Sequence, residues 1–599
     1  MKPPKYDDWR NLPEMFFERA AELADKPFLW AKKTGAYRPL SWRQTAQRVS
    51  ALSRGLRALG IAAGDRVALV SENRPEFAIA DFAVMAAGAI TVPTYTTHTT
   101  RDHRHVLTDC GAKAVIVSSA SLAARLLPAA NDAREVRFVV TMEPVSEGAG
   151  LTVEIHSWDE VLTLGRERPD DVGEIVARAA PDDVACLIYT SGTGGNPKGV
   201  MLSHRAILFN CMGAHSLLEE IGLEDEVFLS FLPLSHSYEH TCGQCFPISI
   251  GAEIYYAQGI ESLSANLLEA RPTFMISVPR LYDMMRQRIL HAMRREGGSK
   301  EKLFMKAVEL GSRAYERRGG LRLTERFYDF ALKRLVRQKV KERFGGRLKA
   351  MVSGGAPLNY EAGLFFTALG IRILQGYGQT EAAPVVSCNP PRRVKLKTVG
   401  PPLKDVEVKI AEDGEILVKG PLVMEGYWNN REASVEALRD GWLHTGDVGA
   451  FDEDGYLMIT DRKKDIIVLS GGDNISPQRI EGILTLQPEI EQAMAHGDTR
   501  AHLVALIVPD PQAVERWAAA YGKEAKLHRL ADDADFVEWI GKAIERANMD
   551  LSSIERIKRF TLAHEPFTVE NGQLTPTLKV RRHNVVRIYG PALDALYGR

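Results

Sequence analysis

The segment Tyr189-Thr-Ser-Gly-Thr-Gly-Gly-Asn-Pro-Lys-Gly199 packs four glycines, three aliphatic hydroxyls and one lysine into eleven residues. Glycines let backbone N–H groups approach an anion closely, hydroxyls donate further hydrogen bonds, and lysine adds a point charge. This is the chemistry of a polyphosphate cradle. It is not a Walker A loop, which needs Gly-Lys-Ser/Thr; here Pro197 precedes Lys198 and Gly199 follows it. A plain flexible turn would not need so dense a set of donors.

Two further segments pair an apolar run with a glycine-bearing loop: Ser353-Gly-Gly-Ala-Pro-Leu358 after Leu348–Val352, and Gly376-Tyr-Gly-Gln-Thr-Glu381 after Ile371–Leu374. Such loops line ligand crevices at strand ends in open α/β sheets. Tyr377 between glycines can lie flat on a planar base, and Thr380 and Glu381 offer hard oxygens for Mg²⁺ held against phosphates. Thr445-Gly-Asp447, Asp461-Arg-Lys-Lys-Asp465 and Leu574-Thr-Pro-Thr-Leu-Lys579 are polar sites in turn contexts. By default Asp447 and Arg462 would make a surface ion pair of little energetic weight, and Lys579 a solvated lysine.

Two patterns invite metal chemistry and are better read otherwise. His236-Ser-Tyr-Glu-His240 matches the H-x-x-E-H form of inverted zinc proteases, but zinc needs both histidines on one helical face and a third ligand. Pro233 and Gly243 argue against a long helix there. Cys242-Gly-Gln-Cys245 is a lone C-x-x-C without a second ligand pair, so buried cysteines are expected.

The elements that must carry these residues read as an α/β chain. Ser41 and Gln44 form a capping-box pattern ahead of Ala46, Val49, Leu52, Leu56 and Leu59. Uninterrupted apolar strands follow at Val67–Val70, Ile90–Val92, Val115–Val117, Phe138–Val140 and Val184–Tyr189, separated by helical patterns. That alternation predicts a parallel sheet covered on both faces. Phe77–Pro93 is the most membrane-like stretch, yet Asp81 interrupts it and it reads as a buried helix and strand. Beyond about residue 394 short strands with glycine turns predict a β-rich part, then a compact piece after Asp461.

In order and spacing, these motifs resemble the adenylate-forming superfamily of AMP-forming acyl-CoA synthetases, most closely bacterial long-chain fatty-acid–CoA ligases. The likeness runs from about Asp8 to about Arg582. It implies a large N-terminal adenylation domain over 1–460, a hinge over 461–464, and a small mobile α+β C-terminal domain over 465–599. It implies ATP, Mg²⁺ and coenzyme A, and a two-step reaction: acyl-adenylate and pyrophosphate form, then the acyl group passes to the CoA thiol with release of AMP. Carried over by position, Thr190, Ser191, Gly192, Thr193 and Lys198 grip the β- and γ-phosphates. Gly354, Gly355 and Ala356 wall the adenine pocket, with Tyr377 and Gly378 at the base. Thr380 contacts the α-phosphate and Glu381 holds Mg²⁺. Asp447 and Arg462 take the ribose hydroxyls, and Lys579 bridges carboxylate and α-phosphate. Lys464 is the hinge position, Gly471 and Gly472 line the pantetheine tunnel, and His236 falls in the acyl site. The family usually has Thr-Thr-Gly where this chain has Thr193-Gly194-Gly195; the missing hydroxyl is expected to weaken ATP binding by roughly 1–2 kcal/mol.

An alternative within this resemblance is an adenylating ligase for another carboxylic acid, or one with a carrier protein as acceptor. No phosphopantetheine-serine carrier segment follows Lys579, so the expected acceptor is free CoA or a separate protein. A non-catalytic nucleotide or lipid sensor is disfavoured by the presence of Lys579, Glu381 and Asp447.

Composition agrees with a large globular enzyme: of 599 residues 45% are hydrophobic and 26% charged, which excludes a disordered or collagen-like chain. The net charge of −1 provides no global field for nucleic acid. It hides an asymmetry, since Arg286–Lys349 carries 20 Lys and Arg against 7 Asp and Glu. That net +13 suits either solvated helical faces or a basic surface for anionic lipid headgroups or polyphosphate. Six cysteines in so long a chain and no signal-like N-terminus suit a reducing compartment. The expectation is a cytoplasmic protein, with peripheral contact at the inner membrane surface through 286–349 and a homodimer as open options.

Overall fold

The computed structural model describes residues 4–145, 151–190, 197–317, 320–463, 465–471, 473–575 and 578–598. Two eight-stranded sheets dominate the first 460 residues. One runs in the order Gly426–Tyr427, Lys198–Ser203, Val184–Thr190, Ile90–Thr94, Arg66–Val70, Ala114–Val117, Phe138–Thr141, Glu154–Ser157. It is parallel from Val184–Thr190 to its last strand, as the continuous apolar runs require. The other orders Val385–Cys388, Ile373–Gly378, Ala350–Ser353, Phe274–Ser277, Val227–Ser230, Glu253–Tyr256, Pro27–Lys33, Ala36–Ser41, with antiparallel pairs only at its two ends. The capping box at Ser41 and Gln44 is present and starts the helix Trp42–Ala58. The apolar stretch at 77–93 is the helix Pro75–Ala86 followed by a strand, almost wholly buried.

A five-stranded β-rich sheet (Glu407–Ile410, Glu415–Lys419, Trp442–Phe451, Leu438–Arg439 and Leu457–Arg462) follows. The chain then forms the three-stranded sheet Ile490–His496, Leu503–Pro509, Ile557–Leu562 with helices against it. Hydrophobic packing respects this division. The large cores draw on residues up to Ile459, two others draw only on residues from Ile467 onward, and no cluster among the described residues combines them. The two parts instead meet through polar contacts: Asn359 Nδ2 donates to the Gly482 carbonyl at 2.8 Å, Arg280 Nη1 to the Glu491 carbonyl at 3.1 Å, and His291 Nδ1 lies 2.7 Å from Gln512 Oε1.

The expectations about two motifs need correction. Gly376-Tyr-Gly378 is not a loop: it ends the strand Ile373–Gly378 and pairs antiparallel with Val385–Cys388. Gly378 is required there, because a Cβ would lie 1.8 Å from the Pro384 carbonyl oxygen. The H-x-x-E-H segment does enter a helical stretch despite Gly243, as a turn at Ser237–Glu239, a π-turn at His240–Cys245, then Phe246–Ser249. The glycine has a packing reason, since its missing side chain leaves room for the buried Glu239 carboxyl group.

Candidate functional site

The antiparallel strands Val184–Thr190 and Lys198–Ser203 set Thr190 directly opposite Lys198, and both line a cleft of about 2220 Å³. That is about twice the upper end for ordinary small-molecule pockets, roughly 1000 Å³, so more than one substrate fits at once. Ser191, Gly192 and Thr193, between these strands in sequence, lie outside the described residues, as do Gly194 and Gly195. Tyr427, on the neighbouring strand Gly426–Tyr427, sits under the lysine: Lys198 Nζ is 4.9 Å from its ring centre. The Tyr427 hydroxyl donates to Glu381 Oε1 at 2.8 Å. A cation, a phenol and a carboxylate thus stand in one row.

Beside Glu381, Thr380 opens a short 3₁₀ turn and its hydroxyl lies 2.8 Å from that of Ser237. Gly354, Gly355 and Ala356 follow the strand Ala350–Ser353 and line the same cleft. A Cβ at Gly354 would come within 2.9 Å of the Tyr238 ring, whose hydroxyl donates to the Val352 carbonyl at 3.1 Å. Gly355 has φ of +81°, a conformation that favours glycine.

Asp447 and Arg462 face each other by strand register, Trp442–Phe451 against Leu457–Arg462. Arg462 Nε stands 3.1 Å from Asp447 Oδ1, and the Tyr377 hydroxyl donates to Asp447 Oδ2 at 2.7 Å. This is no surface pair: Asp447 is buried in the cleft wall. Burial raises its pKa, opposed by Arg462 and the Tyr377 hydrogen bond.

Lys579, the residue whose default reading was a solvated side chain, reaches the cleft from the C-terminal part. Leu578 before it takes a left-handed φ of +62°, a strained conformation for a branched residue. The Lys579 N–H donates to Thr575 Oγ1 at 3.0 Å, and the Thr575 N–H to the Lys579 carbonyl at 2.8 Å, closing a tight loop. Burial and Arg462 lower the ammonium pKa to about 8, with Asp447 and Asp465 pulling it back.

The two histidines of the zinc-like pattern diverge. His236 caps the helical turn, its Nδ1 accepting from the Tyr238 N–H at 3.1 Å, and lines the cleft. Burial, then Lys579, lower its pKa to about 3, so the ring is neutral with its proton on Nε2. His240 turns into the core, with Nε2 2.9 Å from Asp81 Oδ2. No group of three or more His, Cys, Asp or Glu among the described residues could hold a metal ion on its own. All six cysteines are free and buried, Cys242 and Cys245 included.

Of the remaining expected residues, Gly378 lines the cleft, whereas Gly471 stands in an exposed turn away from it. Lys464 and Gly472 lie outside the described residues. The site also contains Tyr427, Ser237 and Asp465, to which no role was assigned from sequence. Asp465 was at least visible within a charged turn; Tyr427 and Ser237 carry no spacing signal.

Two covering sheets, a β-rich sheet and a small C-terminal part whose lysine enters the shared cleft define an adenylate-forming enzyme fold. Solved structures agree: the A domain of a carboxylic acid reductase from Segniliparus rugosus, in complex with AMP and a co-purified carboxylic acid, matches with TM-score 0.79 at 22% identity, covering 99% of this chain and 96% of that one. The anthranilate CoA ligase AuaEII with anthranoyl-AMP matches with TM-score 0.73 at 19% identity, covering 99% of each chain. The AMP-binding enzyme family model matches residues 16–428, and the AMP-binding enzyme C-terminal domain model matches 464–599. The chain belongs to the AMP-binding enzyme family. Similar curated proteins include Long-chain-fatty-acid--CoA ligase FadD15 of Mycobacterium bovis, 35% identical over 98% of this chain and 97% of its own length. Human Long-chain-fatty-acid--CoA ligase 1 is 31% identical over 99% and 87%.

Proposed function

We propose that this protein activates a long-chain fatty acid with ATP and transfers the acyl group to coenzyme A. The observation that carries the proposal is the convergence of Lys579 on one cleft with Lys198, Glu381, Tyr377 and the Asp447–Arg462 pair. The names of the curated relatives support the acid class and the acceptor.

A carboxylate is a poor electrophile, and linking it to AMP supplies a good leaving group. In the first step a carboxylate oxygen attacks the α-phosphorus and the bond to the β-phosphate oxygen breaks, releasing pyrophosphate. Lys579 neutralises the incoming carboxylate and the equatorial oxygens of the α-phosphate, where charge develops. Thr380 donates its hydroxyl to the same phosphate, Thr190 and Lys198 hold the outer phosphates, and Tyr377 lies against the base. Asp447 accepts from the ribose hydroxyls, with Arg462 holding the carboxylate in place. Neutral His236 offers an Nε2–H beside the acyl group. In the second step the CoA sulfur attacks the acyl carbon, the thiol proton leaves to solvent, and AMP departs.

The residues fit Mg²⁺ as a partner of the nucleotide. Glu381 has one oxygen bound by Tyr427 and a second oxygen for a cation, and a single protein carboxylate is ordinary for Mg²⁺ shared with phosphates. When bound, the ion offsets phosphate charge. Exchange of pyrophosphate into ATP is therefore expected to stop on chelation with EDTA and to return with added Mg²⁺.

The domain organisation belongs to the same reading. The C-terminal part, 465–599, moves as a unit about 461–464, with Lys464 as the hinge, bringing Lys579 in for the first step and Gly471 and Gly472 in for the second. Separate hydrophobic cores and a polar contact between them support this. Peripheral contact with anionic lipid through 286–349 is also part of the proposal. The test is ATP–pyrophosphate exchange over a panel of carboxylic acids of increasing chain length, followed by CoA. Exchange and AMP release that grow with acyl length support the reading; no AMP release with any acid rejects it.

A further inference from the structure

The helix Thr100–Cys110 supplies none of the groups described above, yet one side of it holds the strands that carry Thr190, Lys198 and Tyr427. His103, Val106, Leu107 and Cys110 are its buried face. Asp102, His105 and Asp109, three and four residues apart, form a half-buried stripe beside that face. Asp102 is occupied within the helix's own first turn, accepting from the Thr99 N–H at 3.0 Å and the Thr99 hydroxyl at 2.8 Å. The other two reach out of the helix.

His105 Nε2 lies 2.9 Å from the Pro197 carbonyl oxygen. A carbonyl only accepts, so the ring donates. One turn further on, Asp109 Oδ2 accepts from the Tyr189 hydroxyl at 2.5 Å. The Asp109 carbonyl accepts from Asn429 Nδ2 at 2.9 Å and from Trp428 Nε1 at 3.2 Å. Each of these partners adjoins the proposed phosphate grip. Tyr189 precedes Thr190, Pro197 precedes Lys198, and Trp428 follows the tyrosine whose ring lies under Lys198. The Trp428 N–H also donates to the Gly199 carbonyl at 2.7 Å, which ties two of the strands to each other.

The bond to Pro197 has leverage on one cation. The Pro197 carbonyl shares a rigid peptide plane with the nitrogen and Cα of Lys198. The proline ring fixes its own φ on the other side of that plane. Holding the oxygen therefore sets the direction from which the Lys198 side chain starts. We infer that His105 is a positioning residue for the outer phosphates of ATP, aiming Lys198 through the Pro197 carbonyl, with Asp109 fixing the flanking strands. This role rests on the proposed place of Lys198 at the β- and γ-phosphates. It separates two ligands that simple support of the fold would treat alike, because AMP lacks those phosphates. Loss of the bond should weaken ATP and spare AMP.

The experiment is titration calorimetry of the full chain with ATP plus Mg²⁺ and with AMP. It compares wild type with His105→Phe, which keeps a flat ring without a donor, and His105→Asn, whose amide ends short of Pro197. His105→Gln carries its amide nitrogen about as far as Nε2 and restores a donor. His105→Phe and His105→Asn are expected to bind ATP about tenfold more weakly, the loss of one hydrogen bond, with AMP affinity within about twofold of wild type. His105→Gln should recover most of the ATP affinity, so a poorly folded phenylalanine variant does not decide the matter. Equal weakening of ATP and AMP, unchanged ATP affinity in both loss variants, or a glutamine variant no better than asparagine would overturn the inference. Pyrophosphate exchange absent with every acid while this binding pattern holds would reject the proposed function alone; exchange present while the pattern fails would reject the role of His105 alone.

Discussion

Asp447 is pulled two ways: burial favours its neutral form, while Arg462 and Tyr377 favour the carboxylate. In its proposed role, replacing it with Asn removes a charged acceptor for the ribose and leaves Arg462 without its carboxylate partner. Apparent ATP affinity in the exchange assay should fall by about thirtyfold, the equivalent of about 2 kcal/mol for hydrogen bonds to a charged group. Lys579 makes a pH prediction. Its ammonium must be charged to hold two anions, and its pKa in the ligand-free protein is lowered to about 8. The charged form is complete below that value and lost above it, so kcat/KM for exchange should fall as pH rises through about 8. In Lys579→Arg, whose guanidinium stays charged, any residual activity should lack that limb; an identical fall would assign it to another group. Glycine-rich phosphate loops announce themselves because many donors must cluster in few residues. A single phenol such as Tyr427 or hydroxyl such as Ser237 becomes functional only through neighbours far away in the chain, so nothing local marked it.

At the scale of elements, the strand ends and glycines determine the shape of the cleft. Gly354→Ala forces the Tyr238 ring to shift and should cost about 1–3 kcal/mol of stability as an overpacked contact, read as a lowered denaturant midpoint. Gly378→Ala meets backbone, not a movable ring, and should be the more damaging of the two. The uninterrupted apolar strands and the capping box were legible because burial on both faces leaves continuous apolar runs and helix capping leaves polar residues at a fixed spacing. Gly376-Tyr-Gly378 misled because glycine suggests a loop, whereas pairing with Val385–Cys388 draws it into the sheet. The helical run through Gly243 was hidden for the same reason: a buried carboxyl group, not backbone preference, demands that glycine.

Across the whole molecule, two parts with separate cores are joined by polar contacts and share a cleft. The proposed division near residue 460 rests on the compact piece expected after Asp461 and on the family resemblance; where the Lys579 side chain points could not be read, because that depends on how the parts dock. Arg280→Ala removes a docking contact to Glu491. It should slow adenylation several-fold while leaving thioester formation from supplied acyl-adenylate near wild type, as rapid-quench assays of each half-reaction would show. The most direct measurement uses Lys579→Ala in the same two assays. Pyrophosphate exchange should fall by about 100- to 1000-fold while thioester formation from supplied acyl-adenylate is retained; exchange at wild-type rates, or loss of both activities together, would rule out the role proposed for this lysine.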